Sequence, residues 1–398
     1  MKTKVFFLVS MLLLAGSQGM QSQSASLPIV DVSKNYSLEK LNLQDMASVE
    51  YVPLETTDDI LLSGNAALSA VGDKYILVHE FQLGDIYLFD RHTGKLKSHF
   101  NHKGGSGMEY TWIKNGTILD EKAEEIYVCS QYIQVYSLEG KYKRTLKING
   151  FDHDMKIFNY DDESLLIYDD IVIEPGREKQ TAQTPYRFVS KKDGSQVYSL
   201  PIHFSNRIST ALVKQENNGW RPLRFYYPQN TLFGSDIMLM DVSSDTLYQL
   251  SSGKRLVPIF TRKPSVYASE PRNIWMPLLT TDKFMLFGTL LLDFNSGGGK
   301  IPKFMYDFKT GQVKKVSIMD QELNYGIRGP REWDSGSGTA IAKNMSAEFV
   351  SAPAMLEAYQ KKRLKGNGNE VAKNLLEDDN QVVRILSLIH ISEPTRRS

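Results

Sequence analysis

One pattern occurs five times along this chain: an alternating strand, a turn containing glycine, and a second alternating strand. The copies are IYLFDRHTGKLKSHF from Ile86, IQVYSLEGKYKRTLKI from Ile133, YRFVSKKDGSQVYSLPI from Tyr186, TLYQLSSGKRLVPIF from Thr246 and FMYDFKTGQVKKVSI from Phe304. Their turn glycines, Gly94, Gly140, Gly194, Gly253 and Gly311, are spaced by 46, 54, 59 and 58 residues. That period suits a four-stranded blade plus variable loops, repeated around an axis.

The pattern has a physical origin in each copy. Successive residues of a strand face opposite ways, so Ile86, Leu88 and Asp90 share one face while Tyr87 and Phe89 share the other. Both faces carry bulk, as a blade sandwiched between two neighbours requires. The glycine supplies the positive φ that a short hairpin turn needs. Strands KYILVHE from Lys74, EEIYVCS from Glu124, ESLLIYD from Glu163 and DKFMLFG from Asp282 precede four of the copies and read as inner strands of the same blades.

Five copies leave room for one more blade. SVEYVPLE from Ser48 alternates cleanly but has no hairpin partner, and a ring must close to remove its exposed edges. Ser48 to Glu55 is therefore expected to pair with C-terminal strands, for which AEFVSA from Ala347 and QVVRIL from Gln381 are the candidates. Between these, Met355, Leu356 and Tyr359, and then Val371, Leu375 and Leu376, recur at helical spacing and predict short helices packed on the last blade. The fold class is thus all-β, a six-bladed β-propeller with short C-terminal helices.

The two ends divide off. Lys2 and Lys4, the apolar run Val5 to Ala15 and the small residues after it have the layout of a secretory leader over residues 1–24, cleaved between Gly19 and Ala25. About eleven apolar residues are too few to cross a bilayer, which takes roughly 20. Cys129 is the only cysteine, so there is no lipid-modified cysteine near the leader and no intrachain disulfide. The propeller is expected over 25–385 of a periplasmic or extracellular, monomeric protein. The final LSLIHISEPTRRS continues no pattern of the chain and resembles a translated sequencing adaptor, so 386–398 reads as a non-native or disordered tail.

With 47 Lys plus Arg against 46 Asp plus Glu, the chain has no charge excess to recruit nucleic acid or an anionic membrane. The 20 Tyr and 18 Phe suit a strand-rich fold.

Several short motifs, in order, carry a likeness. VEYVPLETT from Val49, YLFDRHTGK, GGSGMEY from Gly104, VYSLEGKYKR from Val135, DTLYQL from Asp245 and EDDN from Glu377 resemble the secreted six-bladed propellers of gut anaerobic bacteria, a TolB-like and NHL-like group. The likeness spans about Ser48 to Asn380. It implies the scaffold, and a scaffold hosts many chemistries. The group carries Pro after EDDN, whereas Gln381 stands here.

No linear catalytic motif is present. GGSGMEY lacks the Lys-Ser or Lys-Thr of a phosphate loop and reads as an interblade turn. His92, His99 and His102 match no zinc spacing, and neither GSG run has the nucleophile-elbow spacing. Asp245-Thr246-Leu247 fits a short O-glycosylation acceptor pattern but also opens a blade strand. Trp220, Arg221, Arg224 and Tyr226 fall in one long connection, and Trp275, Arg328, Arg331 and Trp333 in later ones. Arg and aromatic side chains together make anchors for carbohydrate or protein surfaces, so these eight are the candidate ligand-binding residues. Their alternative is to fill gaps between blades. The leading function is an exported, non-catalytic binding or scaffold propeller of the cell envelope, with carbohydrate or protein as ligand and neither metal nor cofactor. The alternative is a metal-assisted hydrolase or lyase acting in the central channel.

Overall fold

Each repeated copy becomes the outer hairpin of a blade. The computed structural model describes residues 27–148, 155–169, 184–209, 211–216, 219–224, 230–233, 236–268, 270–294, 301–326 and 345–388. The chain opens with three separate strands, Ile29–Asp31 (β1), Leu38–Asn42 (β2) and Ser48–Pro53 (β3), and a single helical turn Leu43–Met46 (α1) before the third. Blade one is Ala66–Val71 (β4), Tyr75–Glu80 (β5), Asp85–Asp90 (β6) and Leu96–Asn101 (β7). Blade two is Thr117–Asp120 (β8), Glu125–Cys129 (β9), Ile133–Ser137 (β10) and Tyr142–Leu146 (β11). Blade three is Met155–Asn159 (β12), Ser164–Asp169 (β13), Tyr186–Ser190 (β14) and Gln196–Ser199 (β15).

A two-stranded hairpin, Ala211–Glu216 (β16) and Gly219–Arg224 (β17), precedes blade four. That blade comprises Asn230–Phe233 (β18), Asp236–Leu239 (β19), Thr246–Ser251 (β20) and Arg255–Lys263 (β21). Blade five comprises Asn273–Thr280 (β22), Phe284–Leu291 (β23), Lys303–Asp307 (β24) and Val313–Asp320 (β25), with the short Tyr325–Gly326 (β26) beside β25. Blade six takes Met345–Val350 (β27) and Val382–Ser387 (β28), between which lie helices Ala352–Gln360 (α2) and Gly368–Lys373 (α3). First strands of neighbouring blades meet near the axis, as β4 does with β8 and β27, and β18 with β22.

The alternation read from sequence becomes the packing between blades. Ile86 and Leu88 join Leu119, Ile126 and Val128 of blade two, while Tyr87 and Phe89 join Val383 and Ile385 of blade six. Comparable buried clusters fill the joints from blade two to three, three to four, four to five and five to six. Cys129 lies inside the joint between blades two and three, where burial pushes its thiol pKa well up and leaves it unreactive. All five turn glycines have positive φ, between 66° and 82°.

β3 closes the ring. It pairs antiparallel with β28, Val52 opposite Val383 and Tyr51 opposite Arg384, and β28 pairs with β27. Among the described residues blade six has three strands and the other blades at least four. Leu386 and Ser387, assigned to the tail by sequence, stand opposite Val49 and Ser48 as the end of β28. The helices dock as expected through Met355 and Leu375, with Ala358 and Ala372 buried beside them, whereas Tyr359 and Leu376 face solvent.

The pairing of β1 and β2 was not legible in the sequence. β1 adds in parallel to the outer edge of β21, and β2 in parallel to the outer edge of β25. The N-terminal segment therefore runs as a strap over three consecutive blades before completing the third, and Val30 is fully buried between blades four and five.

Candidate functional site

Antiparallel blades sort their connections onto two rims. Loops joining second to third strands, and the links from blade to blade, leave on one rim; the glycine turns leave on the other. On the first rim, between blades one and two, three segments converge: the turn after β5, the link 102–116, and the turn Ser130 to Tyr132.

Backbone bonds position that link. The Ile113 amide donates to the Phe81 carbonyl, the Asn115 amide to the Cys129 carbonyl at 3.0 Å, and the Cys129 amide to the Gly116 carbonyl at 3.0 Å. Burial of Ile113 pins the link from below, and the Thr111 and Ser130 hydroxyls are 3.3 Å apart across the two segments. Trp112 is left projecting outward, 38% exposed. Its ring meets Phe81 edge-on at 5.6 Å, and the Lys114 ammonium lies 5.5 Å from its centre. Tyr132, 49% exposed, belongs to the adjoining turn. The result is an aromatic ledge with a cation and hydroxyls at its margin. Sequence reading passed over it; the available signal was TWIK, a large aromatic in a link otherwise rich in Gly.

Of the eight residues singled out from sequence, the side chains of two are described, Trp275 and Arg221, and they lie on different elements. Trp275 is 1% exposed on β22, with its indole N–H donating to the Ser244 carbonyl at 3.3 Å and its ring edge-on to Phe260 and Phe287. It fills the gap between blades four and five, so it belongs to the core instead of a rim. Arg221 is exposed on β17, pairs with Glu216 at 3.3 Å and lies over the Phe294 ring. Trp220 and Arg224 are in the backbone of the same strand. Tyr226, Arg328, Arg331 and Trp333 lie outside the described residues.

The histidines have separate partners. His99 meets Asp85 at 2.9 Å and stacks on Tyr87, while the His102 ring meets the Gly140 carbonyl at 2.7 Å. His92 borders a cleft of about 150 Å³ between blades one and six, beside Asp73 and Arg91, whose guanidinium is bidentate to Glu50. The Arg91 bonds hold the Glu50 carboxyl below its usual range.

A serine and a histidine do touch: Ser69 Oγ is 2.6 Å from His79 Nδ1, and the Thr117 hydroxyl donates to Ser69 at 2.7 Å. Burial lowers the His79 pKa to about 4, and both side chains are inside the joint between blades one and two, where they tie β4, β5 and β8 together. Among the described residues no group of three or more His, Cys, Asp or Glu is arranged to hold a metal. Asp245 accepts the Val266 amide at 2.7 Å at the mouth of β20, a structural use of that motif.

A family model described as a domain of unknown function, DUF4934, matches residues 27–387. The chain belongs to the DUF4934 family. A crystal structure of a candidate exported protein from Bacteroides fragilis matches with a TM-score of 0.57 and 10% identity, over 89% of this chain and 99% of that one. A member of the DUF4221 family from Bacteroides vulgatus matches at 9% identity and a TM-score of 0.44, over 86% and 98% of the two chains. No curated protein matches the sequence. At such identity the first likeness speaks for the DUF4934 scaffold alone. No helix among the described residues is long and apolar enough to cross a membrane.

Proposed function

We propose that this protein is an exported, non-catalytic recognition propeller of the cell envelope, and that it meets carbohydrate at the Trp112 ledge. The observation that carries the reading is the ledge itself: an exposed indole held by backbone bonds on a blade rim, with Phe81 behind it and Lys114 and Thr111 at its margin. Exposed aromatic faces stack on the apolar faces of sugars, and marginal hydroxyls and amines bond their hydroxyls. Pre-ordering of the indole lowers the entropic cost of binding. Export rests on the leader-like layout of residues 1–24.

The test is affinity electrophoresis and a glycan array with the mature protein, comparing wild type with Trp112→Ala and Tyr132→Ala. Wild type should bind at least one polysaccharide, and Trp112→Ala should weaken that binding roughly tenfold or more. Unchanged binding in Trp112→Ala, or binding only to protein ligands, would overturn the carbohydrate reading.

A further inference from the structure

The joint between blades five and six brings two acidic side chains, Asp320 and Glu322, into full burial. Beside its apolar cluster lies a buried polar group drawn from five elements: Asp320 and Glu322 at and just beyond the end of β25, Glu348 on β27, Arg384 on β28, Tyr51 on β3 and Gln44 on α1. Asp320, Glu322, Arg384 and Tyr51 are each 1% exposed or less.

The bonds divide the carboxyls into two kinds. Arg384 donates to Asp320 and, through Nε at 2.7 Å, to Glu348. Asp320 also accepts the Gln44 amide at 2.8 Å and the backbone N–H groups of Glu322 and Leu323 at 3.0 and 3.3 Å. Asp320 thus has donors on both of its oxygens. Glu322 meets a phenol instead: Tyr51 Oη lies 2.6 Å from its Oε2. The Asp320 carboxylate, the Arg384 guanidinium and the Lys365 backbone N–H also act on it.

We propose that this cluster is a proton-held latch, in which Glu322 keeps its proton beside Tyr51 and ring closure weakens when that proton is lost. A carboxylate formed at Glu322 would be a second anion next to Asp320, out of reach of water and without a direct guanidinium bond. Burial first, and then the Asp320 charge, raise the Glu322 pKa; the Tyr51 bond, Arg384 and the Lys365 amide oppose them. Because the folded pKa lies above the ordinary 4.5, the native state binds more protons than the unfolded chain. The stability that Glu322 contributes is therefore complete below pH 4.5 and is lost as pH rises through the raised value.

The experiment compares the pH dependence of unfolding in wild type and Glu322→Gln, which mimics the neutral carboxyl at nearly equal volume. The folding constant of wild type relative to Glu322→Gln should fall by at most about tenfold per pH unit above the ordinary glutamate range, then level off. Infrared spectra of wild type should show the C=O stretch of a buried carboxylic acid that Glu322→Gln lacks. In Tyr51→Phe, which keeps the carboxyl but removes its donor, that band should persist to higher pH. Parallel stability curves for wild type and Glu322→Gln would overturn the latch. Should Glu322→Gln not fold, a wild-type spectrum without a carboxylic-acid band that titrates above the ordinary range would overturn it equally.

Discussion

The turn glycines look interchangeable in sequence but occupy unlike surroundings. A β-carbon at Gly94 would lie 1.8 Å from the Pro53 carbonyl oxygen, the last residue of the closing strand, whereas one at Gly253 would meet nothing within 4 Å. Both have positive φ, so alanine is strained at each by about 1 kcal/mol. At Gly94 the chain must also move away from β3. Gly94→Ala is therefore expected to lower the melting temperature clearly more than Gly253→Ala, as scanning calorimetry would measure. Equal losses would mean that the contact with Pro53 relaxes freely.

At the scale of elements, the strap gives the molecule two kinds of blade edge. β21 and β25 are covered by parallel strands, while β7, β11 and β15 end their sheets among the described residues. Covering an edge satisfies its backbone groups and blocks pairing with other chains. Removal of residues 27–42, leaving α1 and β3, would uncover β21 and β25 and withdraw Val30 from the joint between blades four and five. Hydrogen exchange should then speed up in β21 and β25 while β7 and β11 keep their protection. A uniform increase over all blades would show that the strap acts on the ring as a whole.

For the whole molecule, closure is the feature that matters most. Each blade is buried by its two neighbours, so a ring opened at one joint exposes apolar faces on both sides of the break. β3 supplies that closure through six paired residues, Ser48 to Pro53, and through Glu50, whose two oxygens hold Arg91 of blade one. Deleting residues 48–55 is expected to lower the unfolding temperature of the entire propeller in one transition, with blades far from the break losing exchange protection as well. A loss confined to blade six would show that the other five form a stable open arc.

What the sequence determined by itself was the architecture, and the reason is that a strand declares its faces locally. Alternation at Ile86 to Asp90, a glycine at each tight turn and an orphan strand at Ser48 are readable within about fifteen residues, and together they required a closed ring. Only the tertiary structure decided the rest. IVD and LEKLN are too short to show a period, and they become strands because the edges of β21 and β25, some 230 to 280 residues later, present unpaired backbone groups. Trp275 and Trp112 are equally aromatic in sequence, yet one is sealed between blades and the other is held out on a rim. Asp320, Glu322, Glu348 and Arg384 carry no motif, because their meeting depends on closing the ring, and burial then raises the Glu322 pKa.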